Sequence, residues 1–415
     1  MDKALTDDVL AGRYLHTDLM VDKAHQSTIF DSDGNEYIDY IMGNLTQLRG
    51  YLRFGDAINK SKAEGLPLNV GDNPFELQYQ LAKKLLKIAK KKSLRYTNSG
   101  SEAIHLAIRV ARATTKRSTI LKFTGHYHGW LNEEIFSFVP GQYSAGIPAN
   151  NGNNVIVIEW NNIEQMEHIF NDFGSQLACV LCEPILAHSG TIKANDGFLE
   201  KLLSLAKLHG VKTIFDECIT GFRVGLTGAQ GYYNLYPDIV VYSKALSNGI
   251  PFGVVLFDDE SSCLNNGEVF HASTYDGNLL SVVGCLTTID GLMDGKVYKA
   301  METSQVMLQT GVLEIAAQYD IPILMQSAPG LFQFYFTELN EICSYEAAMT
   351  TDYKLYRRFV LEMKRQRIIL SDGDLSNDDC NKNWIGSWFL SSAHCQSDID
   401  RTLEAVDESF NVLFK

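Results

Sequence analysis

The sequence predicts an α/β fold, a large domain built on a mostly parallel sheet followed by a smaller α+β domain. Short Val/Ile/Leu-rich runs recur at 119–123, 155–159, 178–182, ahead of Asp216 and at 239–241, and each is short enough for a buried strand. Helical patterns at 104–113 and 197–210 separate some of them, the spacing of strand–helix–strand crossovers. From about residue 295 the alternation stops: helices are expected over 296–318 and 396–414, strands over 331–336 and 368–370. The expected division is an N-terminal segment (1–65) packing with the small domain, a large ligand-binding domain (66–294) and a C-terminal small domain (295–415).

Composition narrows the class. The chain has 415 residues, 45% hydrophobic and 21% charged, ordinary for a globular protein with a large core. Its formal charge of −14 argues against nucleic-acid binding, which needs a positive field. An anionic small ligand must therefore be held by local donors. No basic start with an apolar run opens the chain, and no apolar stretch is long enough to span a bilayer, so no membrane association is expected. The eight cysteines are scattered through the sequence with no two close pairs to suggest zinc, which suits buried reduced thiols and a cytoplasmic location.

Residues 1–28 read as a helical arm. Ile29 to Tyr40 read as a hairpin around Asp33-Gly34-Asn35, residues 43–64 as loop then helix, and 73–92 as a helix whose lysines 90–92 are a solvated C-terminus. Next comes Asn98-Ser99-Gly100-Ser101-Glu102-Ala103 between a short strand and a helix. Free N–H groups at a helix start, with serine hydroxyls, make an anion site; simple N-capping by Ser99 or Ser101 is the alternative. The 119–123 strand leads to Gly125-His126-Tyr127-His128-Gly129, a binding loop by its aromatic and histidines. His-X-His could also suggest a metal, but no third ligand is visible nearby and no metal is expected. Glu183-Pro184 follows the 178–182 strand.

The stretch 216–253 organises the rest. Asp216 stands at one strand end, in Asp216-Glu217-Cys218-Ile219-Thr220-Gly221-Phe222-Arg223, and Lys244 follows the apolar run Ile239-Val240-Val241. Alone, such a lysine reads as a solvated turn and such an acidic pair as a helix cap. Together at neighbouring strand ends, an amine and a carboxylate suit pyridoxal phosphate: the lysine forms a Schiff base and the acid keeps the pyridine nitrogen protonated. Ser99, Tyr127, Glu183, Asp216 and Lys244 all fall where a parallel sheet presents its carboxyl edge to ligands.

From Ile29 onward these motifs, with Ser243-Lys244 and the ending Phe389-Leu390-Ser391-Ser392-Ala393-His394, resemble the class III, fold-type I aminotransferases, most closely the glutamate-1-semialdehyde aminomutase branch. The resemblance implies a fold-type I architecture with a seven-stranded sheet and a pyridoxal 5'-phosphate cofactor. It implies that Lys244 carries the cofactor and moves the proton, Asp216 pairs with the pyridine nitrogen and Tyr127 stacks on the ring. Ser99, Gly100 and Ser101 hold the phosphate, His128 belongs to the cofactor-binding loop, and Glu183 helps position substrate. Thr274 occupies a phosphate-binding position reached from the neighbouring subunit, which implies a homodimer. Departures fall toward the substrate side: Asn44 replaces a pocket tryptophan, Leu279 stands where proline is common, and 371–384 is unusually polar.

Three functions compete. An aminotransferase moves an amino group between a small-molecule amino donor and a carbonyl acceptor; an aminomutase shifts it within one molecule; a third reading is a cofactor-fold binding protein without turnover. Retention of both Lys244 and Asp216 favours an enzyme. Arg13, Arg49, Arg53 and Arg223 are the candidates for a substrate anion.

Overall fold

A computed structural model of the chain describes residues 19–51, 73–138, 145–260, 262–371 and 386–415. The described end of the expected helical arm is extended: β1 (Val21–His25) pairs antiparallel with β2 (Thr28–Asp31), which turns onto β3 (Glu36–Asp39). β1 is an edge strand exposed along its whole length, so it lacks the in–out alternation that marks a strand in sequence. The hairpin at Asp33-Gly34 forms as expected, its turn tied by the Asp31 carboxylate accepting the N–H groups of Asp33 and Asn35 at 3.0 and 2.8 Å. After Asp39 the chain makes one helical turn at Met42–Leu45, with Gly43 and Asn44 at φ 59° and 54°. The helix expected after it falls largely outside the described residues.

Helix α1 (Glu76–Ala89) stops at a left-handed Lys90, short of the expected Lys92. Its lysine run is not simply solvated. Lys91 is buried, pairs with Asp258 at 2.8 Å and donates to the Pro237 carbonyl, because the end of a neighbouring strand passes beneath the helix terminus. Lys92 stays exposed against Asp259.

The central sheet has seven strands: β4 (Ser93–Thr97), β5 (Thr119–Phe123), β6 (Val155–Ile158), β7 (Leu177–Cys182), β8 (Lys212–Glu217), β9 (Ile239–Tyr242) and β10 (Gly253–Phe257). Their spatial order is β4-β10-β9-β8-β7-β5-β6. Only β10 runs against the others, antiparallel to both β9 and β4. Helices α2 (Gly100–Thr115), α3 (Ile163–Phe173) and α4 (Phe198–His209) supply crossovers. The apolar residues Ile104, Ala107, Ile108 and Ala111 of α2, at i, i+3, i+4 and i+7, are buried against the sheet. β7 and β9 are buried throughout, which explains why they read as unbroken apolar runs.

Beyond α5 (Leu279–Leu292), helix α6 (Lys296–Gln318) leads into a second sheet, β11 (Ile323–Ala328), β12 (Leu331–Phe336) and, after the next strand, β14 (Trp388–Phe389). Between them α7 (Tyr353–Arg365) precedes β13 (Ile368–Ile369), which returns to pair with β3. α8 (Gln396–Phe414) closes the chain against α6 and α7.

Arg223 joins these parts. Its guanidinium is fully buried and donates to the carbonyls of Leu390 at 2.9 Å and Leu45 at 2.8 Å. It also lies over the Phe389 ring. Burial lowers its pKa to about 10, so it stays charged at neutral pH. Arg223→Met keeps the apolar stem but leaves buried carbonyls without donors, and should cost about 3 kcal/mol of stability. Denaturant unfolding checks this; a loss below about 1 kcal/mol, the net worth of a single ordinary hydrogen bond, contradicts a bridging role.

Candidate active site

Five parallel strands deliver their ends to one edge of the central sheet. β4 runs into Ser99, the N-cap of α2, whose hydroxyl accepts the Glu102 N–H at 3.2 Å. β5 leads to the Tyr127-His128-Gly129 loop, β7 to Glu183 and β8 to Asp216. β9 ends one residue before Ser243, and Lys244 opens a short 3₁₀ turn, Lys244–Ser247. Lys244 has φ 37°, a backbone conformation unfavourable for any side-chain-bearing residue. The Ser243 hydroxyl donates to the Phe252 carbonyl at 2.6 Å and fixes this turn to the start of β10.

These ends enclose a cavity of about 230 Å³ lined by Ser99, Gly100, Ser101, Tyr127, His128, Glu183, Asp216 and Lys244. Thr274 is not among the lining residues. It is exposed in the turn before α5, a loop tied to the cavity rim by Asn98, which donates to Ser273 and Asp276 at 2.8 and 3.2 Å. Larger clefts of about 620 and 450 Å³ lie elsewhere, and neither is lined by Lys244 or Asp216.

Asp216 is buried and fully oriented. One carboxylate oxygen accepts the Cys218 N–H at 3.0 Å; the other meets His128 Nδ1 at 2.8 Å. Burial opposes its ionisation, but the His128 contact and the Cys218 N–H outweigh burial and hold the carboxyl below its ordinary value. Burial in turn lowers the His128 pKa despite Asp216. With the His128 pKa lowered, the contact at neutral pH is a neutral imidazole donating Nδ1–H to the carboxylate. The neighbouring acid plays a different part. Glu217 accepts from Thr220 and from the N–H groups of Ala229 and Gln230, capping the helix Gly228–Tyr233.

Glu183 accepts three backbone N–H groups, from Tyr127 at 3.0 Å and from Ala187 and His188 at 3.2 Å. Burial and the nearby Asp216 charge push its carboxyl up to about 8, against those donors. Its side chain thus braces the loop that carries Tyr127. Tyr127 itself stacks on His188, with ring centres 4.7 Å apart. The two histidines of His126-Tyr127-His128 serve separate partners: His126 Nδ1 accepts the Glu183 N–H at 3.0 Å, while its ring packs beside Trp160.

Sequence reasoning does not reach several other residues at the site. Cys218 and Ser243 line the cavity beside Asp216 and Lys244, and adjacency to those two is the signal that could find them. His188 lies five residues past Glu183 with no motif of its own. Trp130 is 72% exposed although it lines the rim. Glu134 is 1% exposed within Asn132-Glu133-Glu134-Ile135, a run that reads as a solvated helix face. Of the candidate arginines, Arg223 is structural and Arg49 donates to the Thr287 carbonyl on α5 at 3.2 Å; Arg13 and Arg53 lie outside the described residues.

The donor set fits pyridoxal phosphate. A buried carboxylate with only neutral partners can accept from a protonated ring nitrogen, a lysine shares the cavity, and a helix N-terminus with serine hydroxyls receives an anion. The cradle is tight at its glycines: a Cβ on Gly100 would lie 2.9 Å from Cys218 Sγ, and one on Gly129 would overlap a Glu134 carboxyl oxygen.

Comparison with known proteins bears on the family and the fold. The sequence profile of the aminotransferase class-III family matches residues 9–341. A glutamate-1-semialdehyde 2,1-aminomutase of Methanosphaera stadtmanae is 32% identical over 403 residues, covering 94% of this chain and 91% of that protein. Among solved structures, an omega-transaminase from Sphaerobacter thermophilus superposes with a TM-score of 0.86 at 23% identity, covering 95% of this chain and 91% of that one. A transaminase with PLP bound superposes at 0.82 and 20% identity, covering 100% and 99%. At these identities the two structures establish the fold.

Proposed function

The chain belongs to the class-III aminotransferases, and from that premise we propose that it moves an amino group between an amino donor and an aldehyde or ketone acceptor with pyridoxal phosphate. The observation that carries this reading is the convergence of Lys244, the oriented Asp216 and the α2 cradle on one cavity.

Bound there, pyridoxal phosphate supplies an electron sink for the pair left when a substrate carbon loses its proton, and it stores the amino group between half-reactions. Lys244 Nζ would hold the cofactor, and its freed amine would take and return that proton. Asp216 would accept the ring N–H, its carboxylate aimed by His128. Tyr127 would cover the ring, with Glu183 fixing its backbone and His188 backing its own ring. Gly100 and Ser101 would bind the phosphate, with Ser99 ordering their helix start.

An intramolecular aminomutase is the second reading, favoured by the aminomutase relative. The segment carrying Asn44 packs on the Lys244 turn, where Gln47 accepts from Asn248 at 2.8 Å, so departures there act on substrate choice. Steady turnover of one substrate without a co-substrate would establish the mutase; dependence on both a donor and an acceptor establishes the aminotransferase.

The reading extends to assembly, domain division and location. Phe270 and Tyr275, flanking Thr274, are 75% and 64% exposed, and Trp130 at the cavity rim is 72% exposed, apolar surface suited to a second subunit. In the homodimer Thr274 reaches the partner's phosphate site. Thr274→Ala should weaken cofactor retention, and cofactor should shift dilute protein toward dimer. Sedimentation with and without cofactor tests this; a monomer that retains cofactor tightly contradicts it. Within each subunit the proposed division is a cofactor-binding domain (66–294), a small domain (295–415) and an N-terminal segment (1–65), whose described strand β3 pairs with β13 of the small domain. The described cysteines are all free thiols, which suits a reducing cytoplasm.

A further inference from the structure

Behind the phosphate cradle lies an acid that the reaction does not use. Glu134 sits in the short helix Asn132–Ile135. One carboxyl oxygen accepts the Leu131 N–H at 3.3 Å; the other is buried with no hydrogen-bond partner. The carboxyl abuts Gly129 and Ser101, since a Cβ on Gly129 would overlap both Glu134 Oε2 and Ser101 Oγ. Ser101 Oγ already accepts the Trp130 N–H at 3.3 Å, so its single hydroxyl proton is the donor it has to offer.

A buried carboxylate beside a phosphate site is a liability unless it carries a proton. The surroundings supply one. Burial pushes Glu134 up to about 8, with the Asp216 charge on β8 adding to it and Leu131, Ser101 and Lys122 opposing. Lys122 on β5 faces the same pocket, but its ammonium points to the backbone carbonyls of Glu133 and Glu134, at 3.3 and 2.7 Å. Burial lowers its pKa to about 7, which makes it a weak counter-ion.

We propose that Glu134 is a positioning residue for the cofactor phosphate, acting through Ser101. Protonated, it donates to Ser101 Oγ and leaves the serine proton free to face the phosphate. Ionised, it draws that proton to itself and repels the anion. The sign follows: phosphate affinity is full below the Glu134 pKa and falls as pH rises through it. The inference rests on the cofactor reading above.

The test compares affinities for pyridoxal phosphate and for pyridoxal, which lacks the phosphate, between pH 7 and 9. In the wild-type protein the advantage of pyridoxal phosphate should fall about tenfold, the slope of one linked proton. In Glu134→Gln, whose amide donates at every pH, that advantage should stay flat and match the wild type at pH 7. Titrations of Lys122, Asp216 and Glu183 are common to both proteins, so the part of the fall that is absent from Glu134→Gln is the part assigned to Glu134. A flat ratio in the wild type, or an equal fall in Glu134→Gln, overturns the inference. Failure to bind pyridoxal phosphate at pH 7 overturns instead the cofactor reading on which it rests.

Discussion

Lys244→Ala should abolish turnover while leaving the cofactor bound. Loss of the group that moves the proton should cost about 10⁴-fold, the upper range for a positioned acid–base side chain. Binding survives because Asp216, Tyr127 and the α2 cradle surround the rest of the cavity. Borohydride reduction followed by peptide mass spectrometry separates this from general damage. The wild-type protein should carry its cofactor adduct on Lys244, and Lys244→Ala should carry none. An adduct on another lysine would sink the assignment. The strained backbone at Lys244 agrees with a side chain placed by function rather than by local preference.

Asp216→Asn should slow the proton-transfer half-reaction by at least about a hundredfold, comparable to removing one preorganised electrostatic partner. The fold should survive, because an amide oxygen can still accept the Cys218 N–H. What disappears is the negative charge opposite the ring nitrogen. Asp216 sits below the ordinary carboxylate range, so its ionisation contributes no change in rate across neutral and alkaline pH. Single-turnover spectroscopy measures the step; near-wild-type rates in Asp216→Asn contradict the role. His128→Asn is a milder companion variant, since it removes a neutral donor rather than the charge.

Much of the candidate site is legible in the sequence because its residues stand at or just past strand ends, and most of those strands are buried. Ser99, Tyr127, Glu183, Asp216 and Lys244 are separated by as many as 145 positions, from 99 to 244, yet the alternation of strand and helix places them on one edge. Contacts across that edge are not legible. Nothing local pairs His128 with Asp216, 88 residues apart, or distinguishes the role of Asp216 from that of Glu217. β10 is missing from the sequence reading although Gly253-Val254-Val255-Leu256-Phe257 is as apolar and as buried as β7 and β9, which that reading does find. α7 was not expected either, although Tyr356, Phe359, Val360 and Met363, spaced at i, i+3, i+4 and i+7, carry a readable helical signal. Lys91 shows the opposite failure, since a charged residue in a polar run reads as solvated until packing places it inside.

The most direct test follows the nitrogen. Cofactor-loaded protein is incubated with ¹⁵N-labelled amino donors, α-amino acids and primary amines, together with a panel of carbonyl acceptors. The label should appear in the aminated acceptor, with one donor converted to its carbonyl product for each label transferred. A donor consumed by decarboxylation or racemisation, its nitrogen retained and no acceptor labelled, would contradict an aminotransferase.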